Sequence, residues 1–329
     1  MSAPLIISSG ELAGIAPEII AESWRHYRKS NKTFAVIGDA ATLSQRGKIP
    51  TRTITDCQEA ASIFGEALPV FPHPVATQVV AGKPNTENAA SVISAISLGV
   101  DLCHQNKARG LVTAPIDKSV LKQAGFAFQG HTDFLQSLDE KHLKHSVKAV
   151  MMLASPDLRC VPVTVHVSLR EAIGQLNGTL IRETILCVRD ALRDHWGILA
   201  PRIAVSGLNP HAGESGQMGD EENRIIIPAL QAIRNQHPDS LVLSDPLPAD
   251  SLFTPFMRTE YDAFIAMTHD QALIPIKTLY FDQAVNITLG LSFVRTSPDH
   301  GTAYDLAGSN RANSSSMIAA IAEAWRMGA

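Results

Sequence analysis

Cysteine is scarce in this 329-residue chain, and so is any excess of charge. The 4 cysteines (Cys57, Cys103, Cys160, Cys187) are far apart and form no C-x-x-C pair. That argues against a disulfide framework and against a thiolate metal site, and it fits reduced thiols in the cytoplasm. With 28 basic and 32 acidic residues the net charge is −4. Lys and Arg are scattered, with neither a polybasic block nor interleaved aromatics, so the sequence carries no field for nucleic acid. No apolar run approaches the roughly 18 residues needed to span a bilayer. The amino terminus, M-S-A-P-L-I-I-S-S-G, lacks the basic start of a signal peptide and reads as a first strand. The expected partners are small molecules.

What is present is alternation. Apolar runs at Leu5–Ser8, Thr33–Gly38, Gly110–Thr113, Val147–Ala154, Leu158–Val165, Ile203–Val205 and Val285–Leu289 read as strands. Between them lie helical stretches: Pro17 to about Arg28, Asn85–His104, Leu180–Trp196, Asp220–Asn235 and Ser314–Met327. Pro17 suits a first helical turn, and Ala89, Val92, Ile93, Ile96, Val100 and Cys103 recur at helical spacing. Strands alternating with helices imply a mainly parallel α/β sheet covered on both faces.

Three histidines follow apolar runs. His166 comes after Cys160–Val165, His211 lies in the glycine-rich loop after Ile203–Val205, and His269 follows Tyr261–Met267. In open α/β sheets, ligands gather at the carboxyl ends of strands. Three imidazoles there suit a zinc-like divalent ion with one position open to substrate. The bland alternative is three solvated loop histidines, since Gly and Pro mark turns everywhere. Asp133 and Asp270, beside His131-Thr132 and His269, suit second partners that orient an imidazole. Lys277 and Arg295 are candidates to hold an anionic group, although either alone also reads as a surface cation. Asp299-His300-Gly301-Thr302 reads equally as the start of a helix.

Several segments carry a resemblance when taken together and in order. They are G-E-L-A-G-I-A-P-E-I (10–19), G-H-T-D-F (130–134), G-L-N-P-H-A-G-E (207–214), P-L-P-A-D-S-L-F (246–253), H-D-Q (269–271), V-N-I-T-L-G-L (285–291) and R-T-S-P-D-H-G-T-A (295–303). Along nearly its whole length the sequence is similar to the 4-hydroxythreonine-4-phosphate dehydrogenase family of pyridoxine biosynthesis. Its H-G-T-A-Y-D-L-A-G segment (300–308) also resembles that of isocitrate and isopropylmalate dehydrogenases.

The resemblance implies two α/β/α domains with mainly parallel sheets and the active site in an interdomain cleft. One domain is expected from 1–125 plus 290–329, the other, with the metal ligands and dimer interface, from 126–289. It further implies a cytoplasmic homodimer that uses NAD (or NADP) and one divalent ion per subunit (Zn, Mg or Co). The implied metal ligands are His166, His211 and His269, and the implied substrate contacts are His131, Thr132, Lys277, Asn286 and Arg295. Asp299, His300, Gly301 and Thr302 fall on the nicotinamide-binding segment, which in the dehydrogenase relatives replaces a G-x-G-x-x-G fingerprint absent here too. Lys277 and Asp250 are candidate proton-transfer groups. The implied reaction is oxidation of 4-phosphohydroxy-L-threonine with decarboxylation to 3-amino-2-oxopropyl phosphate.

Three departures concern the substrate. Leu12 and Ser292 stand where the family has proline, and Ala16 where it has glycine. A paralogue acting on 4-phospho-D-threonate or 4-phospho-D-erythronate stays open, as does a metal-dependent phosphate-ester hydrolase or lyase without NAD.

Overall fold

The computed structural model describes residues 3–328, which divide into two compact units. One comprises the chain up to Ala149 together with the segment from Leu291; the other is Val150–Gly290.

The first unit holds β1 (Leu5–Ser8), β2 (Phe34–Gly38), β3 (Thr51–Thr53), β4 (Leu68–Pro72), β5 (Leu111–Thr113) and, near the carboxyl end, β12 (Arg295–Pro298). Their order is β3-β4-β2-β1-β5-β12, and every pairing is parallel. All residues of β1, β2 and β5 are buried, as both faces of a helix-covered parallel sheet require. Helix Ala89–His104 can press on β5 because of Gly99, where a Cβ would come within 2.7 Å of the Leu111 side chain.

This unit takes in residues 126–149, which the sequence reading grouped with the middle of the chain. The cause is packing: Phe126, Phe134 and Leu135 belong to the same apolar core as Val92, Ile96 and Leu111. Residues 131–143, for which the sequence announces no element, form a helix, His131–Leu143.

The second unit holds β6 (Val150–Ala154), β7 (Arg159–Pro162), β8 (Arg202–Ser206), β9 (Val242–Leu247), β10 (Ala263–Ala266) and β11 (Val285–Leu289), in the order β11-β6-β7-β10-β8-β9. β7, β10, β8 and β9 run parallel. β6 and β7 form an antiparallel hairpin, and β11 adds antiparallel to β6. Leu153, Cys160, Ala204, Phe264 and Ile276 are among its core. Mainly parallel α/β sheets are therefore what the alternation foretold. The stretch 220–235 is less regular than a single helix, opening as a π-turn (Glu222–Ile226) before helix Ile227–Gln236.

Candidate functional site

In the second unit β7, β10 and β8 are immediate neighbours, so their carboxyl ends deliver three adjacent loops. The loop after β7 carries His166 at φ 53. The loop after β10 passes Thr268 and starts helix His269–Tyr280, of which His269 is the first residue. The loop after β8 carries His211. Thr164 Oγ1 donates to Met267 O at 2.8 Å, and Gln271 Nε2 donates to Gly207 O at 3.0 Å, which ties the three loops together.

His166 and His269 meet, with ring centroids 5.6 Å apart, and both line a cavity of about 150 Å³ with Thr164 and Thr268. His269 Nδ1 lies 2.8 Å from Asp270 Oδ1, which leaves Nε2 as the nitrogen for a metal. His211 reaches the same end of the sheet without joining the pair. Among the described residues, no three His, Cys, Asp or Glu side chains are grouped to hold a metal ion.

The His211 loop has an unusual backbone. His211, Ala212, Gly213, Glu214 and Ser215 all take left-handed conformations, with φ 52, 51, 78, 40 and 59. For L residues this costs roughly 1–2 kcal/mol each, so something must hold the turn. Glu222, 3% exposed, holds its entry. Its Oε1 accepts from Leu208 N and Asn209 N, both at 2.8 Å, and its Oε2 accepts from Asn209 Nδ2 at 2.9 Å. A Cβ at Gly213 would fall 2.6 Å from Oε2. The sequence places Glu222 only within a helical stretch at 220–235; its carboxylate anchors this loop. Its partners are two backbone amides and the Asn209 side chain, which leave no pattern in the sequence.

Among the other residues singled out in this unit, Lys277 and His269 line a cavity of about 410 Å³, and the Lys277 ammonium lies 5.8 Å from the Phe281 ring centroid. Asn286 lies on β11, opposite Leu153. Asp250 is exposed after β9.

In the first unit β1, β5 and β12 are the adjacent strands. Arg295 begins β12 and is 2% exposed, with Nη2 donating to Thr113 Oγ1 at 2.6 Å. Burial lowers its pKa to about 9. His131 opens its helix; burial first, then the charges of Arg295 and Lys118, hold its pKa well below the ordinary 6.5, so the ring is neutral at pH 7. Thr132 follows it in the first helical turn.

The Asp299–Thr302 segment leaves β12 as a loop, not a helix. Asp299 N donates to Ser316 Oγ at 3.0 Å, and Thr302 O accepts from Ile15 N at 2.9 Å, which joins it to the loop after β1. A Cβ at Gly301 would meet nothing within 4 Å, and His300 Nε2 is sealed from solvent without a partner. Both observations fit an added group at this loop. Sequence reading also missed Tyr304, whose hydroxyl donates to Asp117 Oδ2 at 2.9 Å and links the loops after β12 and β5.

Polar side chains gathered at the carboxyl ends of parallel strands define a ligand-binding α/β protein. Comparison narrows that class. The family described as pyridoxal phosphate biosynthetic protein PdxA matches residues 30–324, and the chain belongs to it. It is 48% identical to a 4-hydroxythreonine-4-phosphate dehydrogenase of Caulobacter vibrioides, over all of this chain and 98% of that one. Identity to a protein of the same name from Bradyrhizobium diazoefficiens is 46%, over 99% of this chain and 97% of the other. A crystal structure of the Klebsiella pneumoniae 4-hydroxythreonine-4-phosphate dehydrogenase superposes with a TM-score of 0.87 at 33% identity, each chain being covered completely.

Proposed function

We propose that the chain is a cytoplasmic oxidoreductase that oxidises 4-phosphohydroxy-L-threonine at its secondary hydroxyl, with NAD or NADP as acceptor. The resulting β-keto acid loses carbon dioxide to give 3-amino-2-oxopropyl phosphate, a step toward pyridoxal 5'-phosphate. The observation that carries this reading is near-half identity over the whole chain to relatives bearing that enzyme's name.

His166, His211 and His269 are the proposed donors to one divalent ion (Zn, Mg or Co). Two of the rings already share a cavity, and the third rides on the neighbouring strand's loop. When bound, the ion supplies a Lewis acid that favours loss of the hydroxyl proton. Asp270 fixes the tautomer of His269, and Glu222 positions the His211 loop. Asp299, His300, Gly301 and Thr302 are the proposed nicotinamide contacts, at the loop whose open side at Gly301 leaves room.

His131, Thr132, Lys277, Asn286 and Arg295 are the proposed substrate contacts. Arg295 offers a forked donor to phosphate, and neutral His131 donates or accepts without adding charge. Lys277 and Asp250 are the proposed carriers of the protons released and taken up during oxidation and decarboxylation.

A homodimer is the proposed assembly. Leu169, Ile173, Ile274 and Phe281 expose apolar side chains (67, 48, 63 and 70%) on or beside two helices of the second unit, the kind of surface a second copy covers. Light scattering on the purified chain reports the mass directly.

The decisive assay mixes 4-phosphohydroxy-L-threonine, NAD and Zn, Mg or Co and follows reduced-cofactor absorbance. Turnover with loss of carbon dioxide is expected. Turnover only with 4-phospho-D-threonate moves the reading to the paralogue, and phosphate release without cofactor reduction ends it.

A further inference from the structure

The amino end of helix His131–Leu143 carries, beside the proposed contacts His131, Thr132 and Arg295, a cation that the assignments above do not use, Lys118. Its cap is Gly130, which offers no side chain, and no side chain caps the first turn. His131 Nε2 is sealed from solvent without a hydrogen-bond partner. Lys118, from the T-A-P-I-D-K loop after β5, runs across Gly130: a Cβ there would lie 3.0 Å from Lys118 Cε and 3.3 Å from Nζ. The ammonium therefore stands at the positive end of a 13-residue helix, where a cation is unfavourable. It makes no hydrogen bond or ion pair among the described residues. Its neighbour Asp117 is occupied elsewhere, accepting from Ser119 N, Ser119 Oγ and Tyr304 Oη at 2.8, 2.6 and 2.9 Å. The buried Arg295 guanidinium acts on the same histidine as Lys118 does.

Two cations, an uncapped helix start and an imidazole with an unsatisfied nitrogen repel or strand one another when empty. An anion reconciles them. Helix amino ends present amides to phosphate, and Lys adds a point charge to the fork of Arg.

We propose that Lys118 and the first-turn amides of helix His131–Leu143 bind the substrate's phosphate, with Arg295 and His131 completing the cradle. Lys118 is thus a specificity-determining residue that selects phosphorylated over unphosphorylated substrate. A Cβ at Gly130 would press on the flexible end of Lys118, which would have to shift by a few tenths of an ångström. This rests on the phosphorylated-substrate reading above.

The test uses Lys118→Met, which removes the charge from an exposed side chain while keeping its length, and Lys118→Arg, which keeps the charge. Lys118→Met is expected to raise KM for 4-phosphohydroxy-L-threonine roughly tenfold to a hundredfold with kcat within about threefold, and Lys118→Arg to recover most of the loss. Binding of inorganic phosphate to the full chain, measured by calorimetry without cofactor, is expected to weaken by the same factor in Lys118→Met. If wild-type protein turns the substrate over and Lys118→Met keeps both its KM and its phosphate affinity, the inference is overturned. If wild-type protein shows no turnover but binds phosphate through Lys118, the cradle stands and the proposed reaction falls.

Discussion

Ser292 gives both its backbone N–H and its hydroxyl to one carboxylate, that of Asp139, at 2.8 and 2.5 Å. Asp139 is fully buried, and His104 Nε2 lies 2.9 Å from the same Oδ1. The triad pins the chain three residues before Arg295 to the helix that begins with His131. Where the family pattern has proline, no amide donor exists at this position. Asp139→Ala is expected to lower stability by about 3 kcal/mol, since it strands the partners of a buried charge. Ser292→Pro, removing two donors, should lower it by about 2 kcal/mol. Urea denaturation checks both, and unchanged midpoints would refute the tether.

Asp270 is expected to act on metal through His269. Asp270→Ala frees the Nδ1 side of the imidazole and should weaken divalent-ion affinity about 10–100-fold, as loss of a ligand's outer partner does. Zinc titration against a chromophoric chelator measures it. His211→Ala is expected to lose metal and turnover together, and full activity in the metal-depleted variant would remove His211 from the proposed ligand set.

The turn at 211–215 should depend on Glu222. Glu222→Ala leaves Leu208 N and Asn209 N without their acceptor and should cost about 2–3 kcal/mol. Hydrogen exchange of the 207–216 amides is expected to speed up more than that of β8. Equal protection in variant and wild type would show that the left-handed turn holds itself.

Acid should destabilise the protein through His131. Its folded pKa is depressed below 6.5, so below pH 6.5 the unfolded chain binds the proton more readily and stability falls as pH drops. His131→Asn is expected to flatten this limb by about 1 kcal/mol between pH 7 and 5. Thermal melts at both pH values test it, and parallel slopes would refute the assignment.

The parts that sequence made legible share a cause. β1, β2 and β5 are buried on both faces, and continuous apolar runs announce such strands. The three histidine loops follow similar runs, so their common end of the sheet was readable once the strands were. Helix His131–Leu143 was not, because it buries few residues and its polar start G-H-T-D mimics a loop. Glu222 and Asp139 escaped notice for another reason: their partners are backbone amides or lie 153 positions away, and neither relation leaves a local signature. Lys118 was one cation among 28 until its neighbour Gly130 gave it a place.

The first unit is interrupted: β12 pairs with β5 only after the whole of Val150–Gly290 has intervened in the chain. On the ribosome, all three histidine loops therefore leave the exit tunnel before Arg295 does. During synthesis the inserted half is therefore complete while the early strands still wait for their last neighbour. A chain stopped short near residue 290 would carry every proposed metal donor yet lack Arg295, the proposed phosphate contact.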